Sequence, residues 1–216
     1  MVSNSCSDVP KNKTSSLIRH GLALLCLVVL LPGCSEPRLK QISPGGTILA
    51  FGDSLTAGVG ASQPESYPAV LAELSGRSVI NAGVSGEVTA DGLQRLPGLL
   101  SQHEPELLIL LEGGNDILRN QPSARVLSNL AQMIELARAN DVPVVLIGVP
   151  EKNLFSSSAP LYKELAEQYD VVFEGKLLGS LLRTASYKSD PIHLNAKGYR
   201  AMAEGIYELL ADNGAL

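Results

Sequence analysis

A chain of 216 residues with 45% apolar and 18% charged side chains is long enough to bury one core and too hydrophobic to stay disordered. Its formal net charge of −5, with no basic stripe, argues against nucleic acid as a partner, and 4% aromatic residues with no Trp leave little surface for stacking bases or sugars. The three cysteines, Cys6, Cys26 and Cys34, all lie at the amino end, so the rest of the chain must stand on packing rather than on disulfides.

Lys11, Lys13 and Arg19 precede the apolar run Gly21 to Leu31, which is too short to span a bilayer as a standard helix but matches the core of a secretory signal. Residues 1–33 are therefore read as an export signal. The run ends Leu31-Pro32-Gly33-Cys34, which resembles a bacterial lipobox; the resemblance implies cleavage before Cys34, lipidation of that cysteine and attachment to a membrane. Ser35 in place of Asp implies sorting to the outer membrane, and the mature chain would carry 17 − 3 = 14 basic and 22 − 1 = 21 acidic residues, a net charge of −7. An uncleaved short anchor, or an ordinary signal with a chance cysteine, is the alternative. Either way the chain is exported, as a periplasmic or membrane-anchored protein.

Residues 34–46 are polar, hold Pro37 and Pro44 and end Gly45-Gly46, which reads as a tether, with the domain spanning 47–216. Thr47 to Phe51 is a short apolar run closed by Gly52, hence a buried strand ending in a tight turn at Asp53-Ser54. A helix over Ser66 to Leu74 is stopped by Gly76, and a strand over Ser78 to Asn81 leads into the glycine-rich turn Gly83-Val84-Ser85-Gly86. Thr89 to Ser101 has helical spacing with an irregularity expected at Pro97-Gly98. Leu107 to Leu111 reads as a central strand buried on both faces, followed by Glu112-Gly113-Gly114-Asn115-Asp116. Then come a helix over Pro122 to Ala139, a strand over Val144 to Val149, a helix over Pro160 to Gln168 and a short strand over Val171 to Phe173. The last helix starts at the cap Asn195 and runs to about Ala211. Strands alternating with helices through short loops specify an α/β fold, a central parallel sheet of about five strands with helices on both faces.

In such a sheet, successive strands end at one edge, so the loops bearing Ser54, Gly86 and Asn115 become neighbours despite their separation in the chain. A fourth loop, Ser189 to Asn195, holds Asp190 and His193 three residues apart on a turn stiffened by Pro191. That spacing lets the carboxylate reach Nδ1 of the imidazole while Nε2 faces outward, the orientation a serine's general base requires. His20 lies in the export signal and His103 precedes a strand, at the opposite sheet edge, which leaves His193 to serve Ser54. Taken separately, each feature has a plainer reading: a turn serine, turn glycines, and a loop ion pair at the start of the last helix. Asp53 and Asp116 are read as structural, holding loop N–H groups.

Together, Gly52-Asp53-Ser54-Leu55, Gly86 within Val84-Ser85-Gly86-Glu87, Gly113-Gly114-Asn115-Asp116 and Asp190-Pro191-Ile192-His193 resemble the four ordered blocks of the SGNH hydrolases, also called GDSL-type esterases. The resemblance covers about residues 47–210. It is strongest with the bacterial branch of arylesterases, acyl-CoA thioesterases and lysophospholipases, through Ser85 to Thr89 and Arg95-Leu96-Pro97. It implies a three-layer α/β/α, flavodoxin-like domain and a serine esterase without cofactor or metal. Ser54 is then the nucleophile, His193 the base and acid, and Asp190 its orienter. The oxyanion hole is implied to be the N–H of Ser54, the N–H of Gly86 and the side-chain amide of Asn115. Physics supports that set: neutral donors stabilise a developing oxyanion, Gly at 86 permits close backbone approach, and a carboxylate in place of the Asn115 amide would repel the charge.

In the resembling branch the region of Ile117 and Leu118 lines the acyl pocket, with Leu154, Phe155 and Leu161 as further candidate wall. A medium-chain carboxylic ester or thioester is the expected substrate. A carbohydrate O-deacetylase of the same fold, and a non-catalytic lipoprotein that binds through it, are the alternatives.

Overall fold

The computed structural model describes residue 1, residues 38–152 and residues 158–216; the export signal, Cys34, Leu154 and Phe155 lie outside the described residues. Five strands form one parallel sheet: β1 (Thr47–Gly52), β2 (Ser78–Gly83), β3 (Leu107–Leu111), β4 (Val144–Ile147) and β5 (Val172–Glu174), in the spatial order β2-β1-β3-β4-β5. The interior strands β1 and β3 are buried along nearly their whole length because helices cover both faces, so their sequences read as unbroken apolar runs. The edge strand β2 is half-exposed and accordingly carries Ser78 and Asn81.

The helices are α1 (Ser54–Ala57), α2 (Tyr67–Ser75), α3 (Thr89–His103), α4 (Gly114–Leu118), α5 (Ser123–Ala139), α6 (Pro160–Tyr169), α7 (Leu177–Arg183) and α8 (Ala196–Asp212). From β1 to β2 the chain steps one way along the sheet; from β2 through β3 and β4 to β5 it steps the other way. Right-handed crossovers therefore put α2 on one face and α3, α5 and α6 on the opposite face. The packing agrees: α2 lies against α8, α3 against α5, and α5 against α6. The stepping direction reverses between β1 and β3, and in such sheets the ligand crevice opens there, beyond the strands' carboxyl ends.

Three local expectations change. α3 runs unbroken through Pro97 and Gly98. β4 stops at Ile147, two residues short of the expected end, although the Gly148 N–H still bonds to the Glu174 carbonyl at 2.8 Å. The helix α7 is an addition, since its seven residues are too few to show a period.

The larger correction concerns the tether expected over residues 34–46. Leu39 and Ile42 are only 6% and 1% exposed and belong to the hydrophobic core. Their N–H groups bond to the carbonyls of Asn213 and Ala215 at 3.0 and 2.8 Å, clamping the C-terminal residues. Two apolar side chains three apart are enough to draw a polar, proline-bearing stretch onto the domain. The packed unit thus begins by residue 38 rather than at residue 47.

Candidate active site

The site grows from the end of β1. A Cβ on Gly52 would lie 2.1 Å from the Leu111 carbonyl and 2.4 Å from Thr56 Oγ1, so only glycine fits where β1 turns into α1. Asp53 caps α1, its Oδ1 accepting the Leu55 N–H at 3.0 Å, and Ser54 becomes the first residue of the helix. Gly52 stands in register with Gly83 of β2 and Leu111 of β3, which brings the loops after those strands to either side of Ser54.

The fourth loop arrives from before α8. His193 Nε2 lies 3.1 Å from Ser54 Oγ, and its Nδ1 lies 2.7 Å from Asp190 Oδ2. With the ring proton on Nδ1, the imidazole donates to Asp190 and accepts the serine hydroxyl. Asp190 also shapes the loop, its Oδ1 accepting the N–H groups of Ile192 at 2.9 Å and His193 at 2.8 Å. The hydrogen bond from the His193 side chain, with the two backbone donors, holds the Asp190 carboxyl below its ordinary range despite some burial. Asn195 caps α8 as the sequence predicts, its Oδ1 accepting the Gly198 N–H at 3.0 Å, which leaves Asp190 to His193 and to its own loop.

Gly86 and Asn115 flank the serine. Gly86 has φ +80°, a conformation that penalises any side chain, whereas a Cβ there would meet nothing in the protein closer than the Arg119 guanidinium at 3.7 Å. The backbone angle, not crowding by neighbouring protein atoms, is what demands glycine. Arg119 Nη2 donates to the Gly86 carbonyl at 3.0 Å, tying the loop after β2 to the end of α4. Asn115 Nδ2 donates to Asp53 Oδ2 at 3.4 Å. Burial pushes the Asp53 carboxyl up to about 6, against the pull of the Leu55 N–H and the nearby His193. Asp116 accepts the Thr89 N–H and hydroxyl, each at 2.8 Å, and so fixes the start of α3.

Ser54, Gly86, Asn115 and His193 all line one cleft of about 420 Å³, whose apolar wall comprises Leu55, Ile117, Leu118, Val149, Leu182 and Ile192. Leu118 and Ile192, which line the cleft, are 43% and 41% exposed. Leu161, expected as wall, instead lines an adjacent cavity alongside Ile117. Leu182, on the added helix α7, takes a place in the cleft. Among the described residues no group of three or more His, Cys, Asp or Glu side chains is placed to hold a metal ion, and no helix is long and apolar enough to cross a membrane.

Sequence reasoning puts Tyr199 on the buried face of the last helix but misses the hydrogen bonds made by three fully buried tyrosines. Tyr67 pairs with Thr56 Oγ1 at 3.3 Å, Tyr199 donates to the Val59 carbonyl at 2.7 Å, and Tyr162 donates to the Glu112 carbonyl at 2.7 Å. Tyr199 and Tyr162 fasten loops of the site to helices behind them, and Tyr67 ties α2 to α1. As buried ring and wet tip in one residue, a tyrosine at a core position of a helix is the signal that would have pointed to them.

A hydroxyl, an imidazole and a carboxylate joined in line at the switch point of a doubly wound sheet, beside a glycine turn and a carboxamide, mark an SGNH-type hydrolase, and the relatives it resembles are named as esterase and thioesterase. The chain belongs to the GDSL-like Lipase/Acylhydrolase family, whose model matches residues 50–201. It is 37% identical over 127 residues to the Esterase TesA of Pseudomonas aeruginosa, an alignment covering 56% of this chain and 63% of that esterase. It is 36% identical over 164 residues to the Thioesterase 1/protease 1/lysophospholipase L1 of Escherichia coli K12, covering 73% of this chain and 75% of that one. Among solved structures, that of TesA superposes with a TM-score of 0.72 at 28% identity, covering 77% of this chain and 99% of that chain.

Proposed function

We propose that the protein hydrolyses medium-chain carboxylic esters and thioesters through an acyl-enzyme on Ser54. The observation that carries this reading is the unbroken line Asp190–His193–Ser54, at 2.7 and 3.1 Å, opening onto an apolar cleft. Ser54 Oγ attacks the carbonyl carbon as its proton passes to His193 Nε2. Asp190 holds the imidazole in the accepting tautomer and stabilises the imidazolium. The negative charge that collects on the carbonyl oxygen is met by the N–H groups of Ser54 and Gly86 and by the Asn115 amide. As the C–O or C–S bond breaks, the Nε2 proton goes to the leaving alcohol or thiol. Water then repeats the sequence against the acyl group, His193 taking its proton and returning it to Ser54. The acyl chain lies along Ile117, Leu118, Leu182 and Ile192.

Residues 1–33 act as an export signal in this reading, and Cys34 carries a lipid that anchors the protein, with sorting to the outer membrane. Support for this comes from the basic, apolar and Leu31-Pro32-Gly33-Cys34 segments in sequence.

The test is labelling by a fluorophosphonate, followed by mass spectrometry, beside a panel of p-nitrophenyl esters of rising chain length, an acyl-CoA and acetylated xylose. One label on Ser54 and a rate maximum at medium acyl length are expected. No label on Ser54 would remove the mechanism, and preference for acetylated xylose would reassign the substrate. Loss of metabolic fatty-acid labelling in Cys34→Ala tests the anchor.

A further inference from the structure

Glu112 sits where an ionised carboxylate is poorly accommodated. It follows the last residue of β3, is 0% exposed, and takes part in no ion pair among the described residues. Oε2 accepts the Gly113 N–H at 2.9 Å, while Oε1 is buried with no donor among the described residues. The groups facing it are Asp53 from the end of β1, Glu87 from the loop after β2, and Tyr162 from α6. Tyr162 gives its proton to the backbone carbonyl of Glu112 and not to the side chain. The nearest cation in this network, Arg95 of α3, is already engaged: its Nε and Nη2 bond to the two oxygens of Glu87, each at 2.6 Å. Nη2 also reaches the carbonyls of Ala82 at 2.7 Å and Gly52 at 3.3 Å, and the guanidinium stacks on Phe51 at 4.1 Å.

An unpaired buried charge is costly, and the usual escape for a carboxyl is to keep its proton. A proton on Oε1 would convert this unsatisfied acceptor into a donor, and Glu87, whose carboxylate faces the Glu112 carboxyl and raises it, is the acceptor beside it. We propose that Glu112 is a positioning residue: as a neutral acid it donates to Glu87, and this carboxyl–carboxylate bridge holds together the loops that bear Gly86 and Asn115. Glu87 directly follows Gly86, and Glu112 stands three residues before Asn115. Through Arg95 the bridge extends to Gly52, two residues before Ser54, so one buried network joins the carboxyl ends of β1, β2 and β3. Burial raises the Glu112 carboxyl to about 10, and the charges of Asp53 and Glu87 push the same way. The role assigned to Glu112 rests on the reading of Gly86 and Asn115 as oxyanion donors.

Its test uses the whole protein and the variants Glu112→Gln and Glu112→Met. The carboxamide keeps a donor toward Glu87, whereas the thioether fills the volume without one. Glu112→Gln should keep kcat on p-nitrophenyl butyrate within about threefold, and Glu112→Met should lose roughly tenfold or more in kcat with KM little changed, as expected when reacting groups are misplaced rather than substrate contacts removed. The infrared spectrum at neutral pH should show a protonated carboxyl C=O band that vanishes in Glu112→Gln. A carboxyl whose folded pKa lies above its ordinary 4.5 stabilises the fold below that value and loses the contribution as pH rises toward about 10, so wild-type Tm should fall across this window more steeply than that of Glu112→Gln. Absence of the band, or parallel pH profiles of Tm, overturns the neutral acid. Equal kcat in all three proteins overturns the positioning role, and the band and the Tm profile remain decisive should Glu112→Met not fold. Failure of Ser54 to take the fluorophosphonate would remove the reading beneath while leaving the band in place.

Discussion

Asp53 aims the amide of Asn115: Nδ2 of one meets Oδ2 of the other at 3.4 Å, across 62 residues of sequence. A carboxamide can flip, exchanging a donor for an acceptor, and the Asp53 carboxylate selects the orientation that presents NH₂. One amide hydrogen is thereby spent on Asp53, leaving its twin for the cleft that Asn115 lines. Asn115→Ala should therefore cost on the order of 10²–10³ in kcat, the usual effect of losing one oxyanion donor. Steady-state kinetics on a p-nitrophenyl ester checks it, and a loss below about threefold would take Asn115 out of the hole.

Asp53→Asn separates the aiming from the capping. The introduced carbonyl oxygen still accepts the Leu55 N–H, but the new NH₂ faces Asn115 and invites the amide oxygen instead, turning an acceptor toward the cleft. A fall in kcat of the same order as for Asn115→Ala is expected. Stability should move the other way. Asp53 has its carboxyl raised from 3.8 to about 6, so the folded protein holds this proton more tightly than the unfolded chain and loses stability as pH rises from 3.8 through about 6. The variant lacks that loss, and its Tm relative to wild type should climb over the same window. Thermal unfolding between pH 4 and pH 8 measures it.

Asp190→Asn isolates the tautomer of His193. The introduced carboxamide would keep the oxygen that accepts the N–H groups of Ile192 and His193, so the turn survives. Its NH₂, set against Nδ1, favours the imidazole with its proton on Nε2, which no longer accepts from Ser54. A loss on the order of 10²–10⁴ in kcat with only a small fall in Tm is the expected outcome, because the depressed Asp190 carboxylate is 44% exposed and contributes little to stability. Because Asp190 is 44% exposed, water partly substitutes for it in Asp190→Ala, where turn and tautomer are perturbed together.

Gly86→Ala addresses the backbone angle. At φ +80° a Cβ has room but sits in a strained conformation, costing about 1–2 kcal/mol for a left-handed residue. Relaxation of that strain would swing the Gly86 N–H and break the bond from Arg119. Urea unfolding should show the loss in stability, and kcat should fall while KM changes little.

The residues that could be read in advance share one property: topology alone brings them together. Ser54, Gly86, Asn115 and His193 each follow or adjoin an element whose apolar period is plain, so alternation of strand and helix is enough to gather their loops. What stays hidden depends on groups that periodicity ignores. No apolar period places Glu87, Arg95 or Glu112, yet Glu87 and Glu112 are 6% and 0% exposed, Glu87 paired with Arg95 and Glu112 left with one oxygen lacking a donor among the described residues. Tyr67, Tyr162 and Tyr199 register as core, and nothing in a one-dimensional pattern tells which loop carbonyl or hydroxyl each tip will reach. The seven residues of α7 complete fewer than two full turns beyond its caps, too short a stretch for a face to emerge.

Leu39 and Ile42 belong with these hidden features, and their burial makes the amino boundary testable. A chain starting at residue 47 would lose both side chains from the core, together with the two backbone bonds to Asn213 and Ala215. At about 1.5–3 kcal/mol for each buried aliphatic side chain, the loss is of the order of 3–6 kcal/mol, a large part of a typical domain's roughly 5–15. The ion pair between Arg38 and Asp170 adds little, because its side chains are 49% and 90% exposed. A chain starting at residue 47 should therefore unfold at far lower urea than one starting at residue 38. Ile42→Ala alone should cost about 2–4 kcal/mol, as for other fully buried isoleucines. Turnover under conditions where each remains folded should be the same, since Ser43 of this segment bonds to Glu106, just ahead of β3, at the sheet edge opposite Ser54.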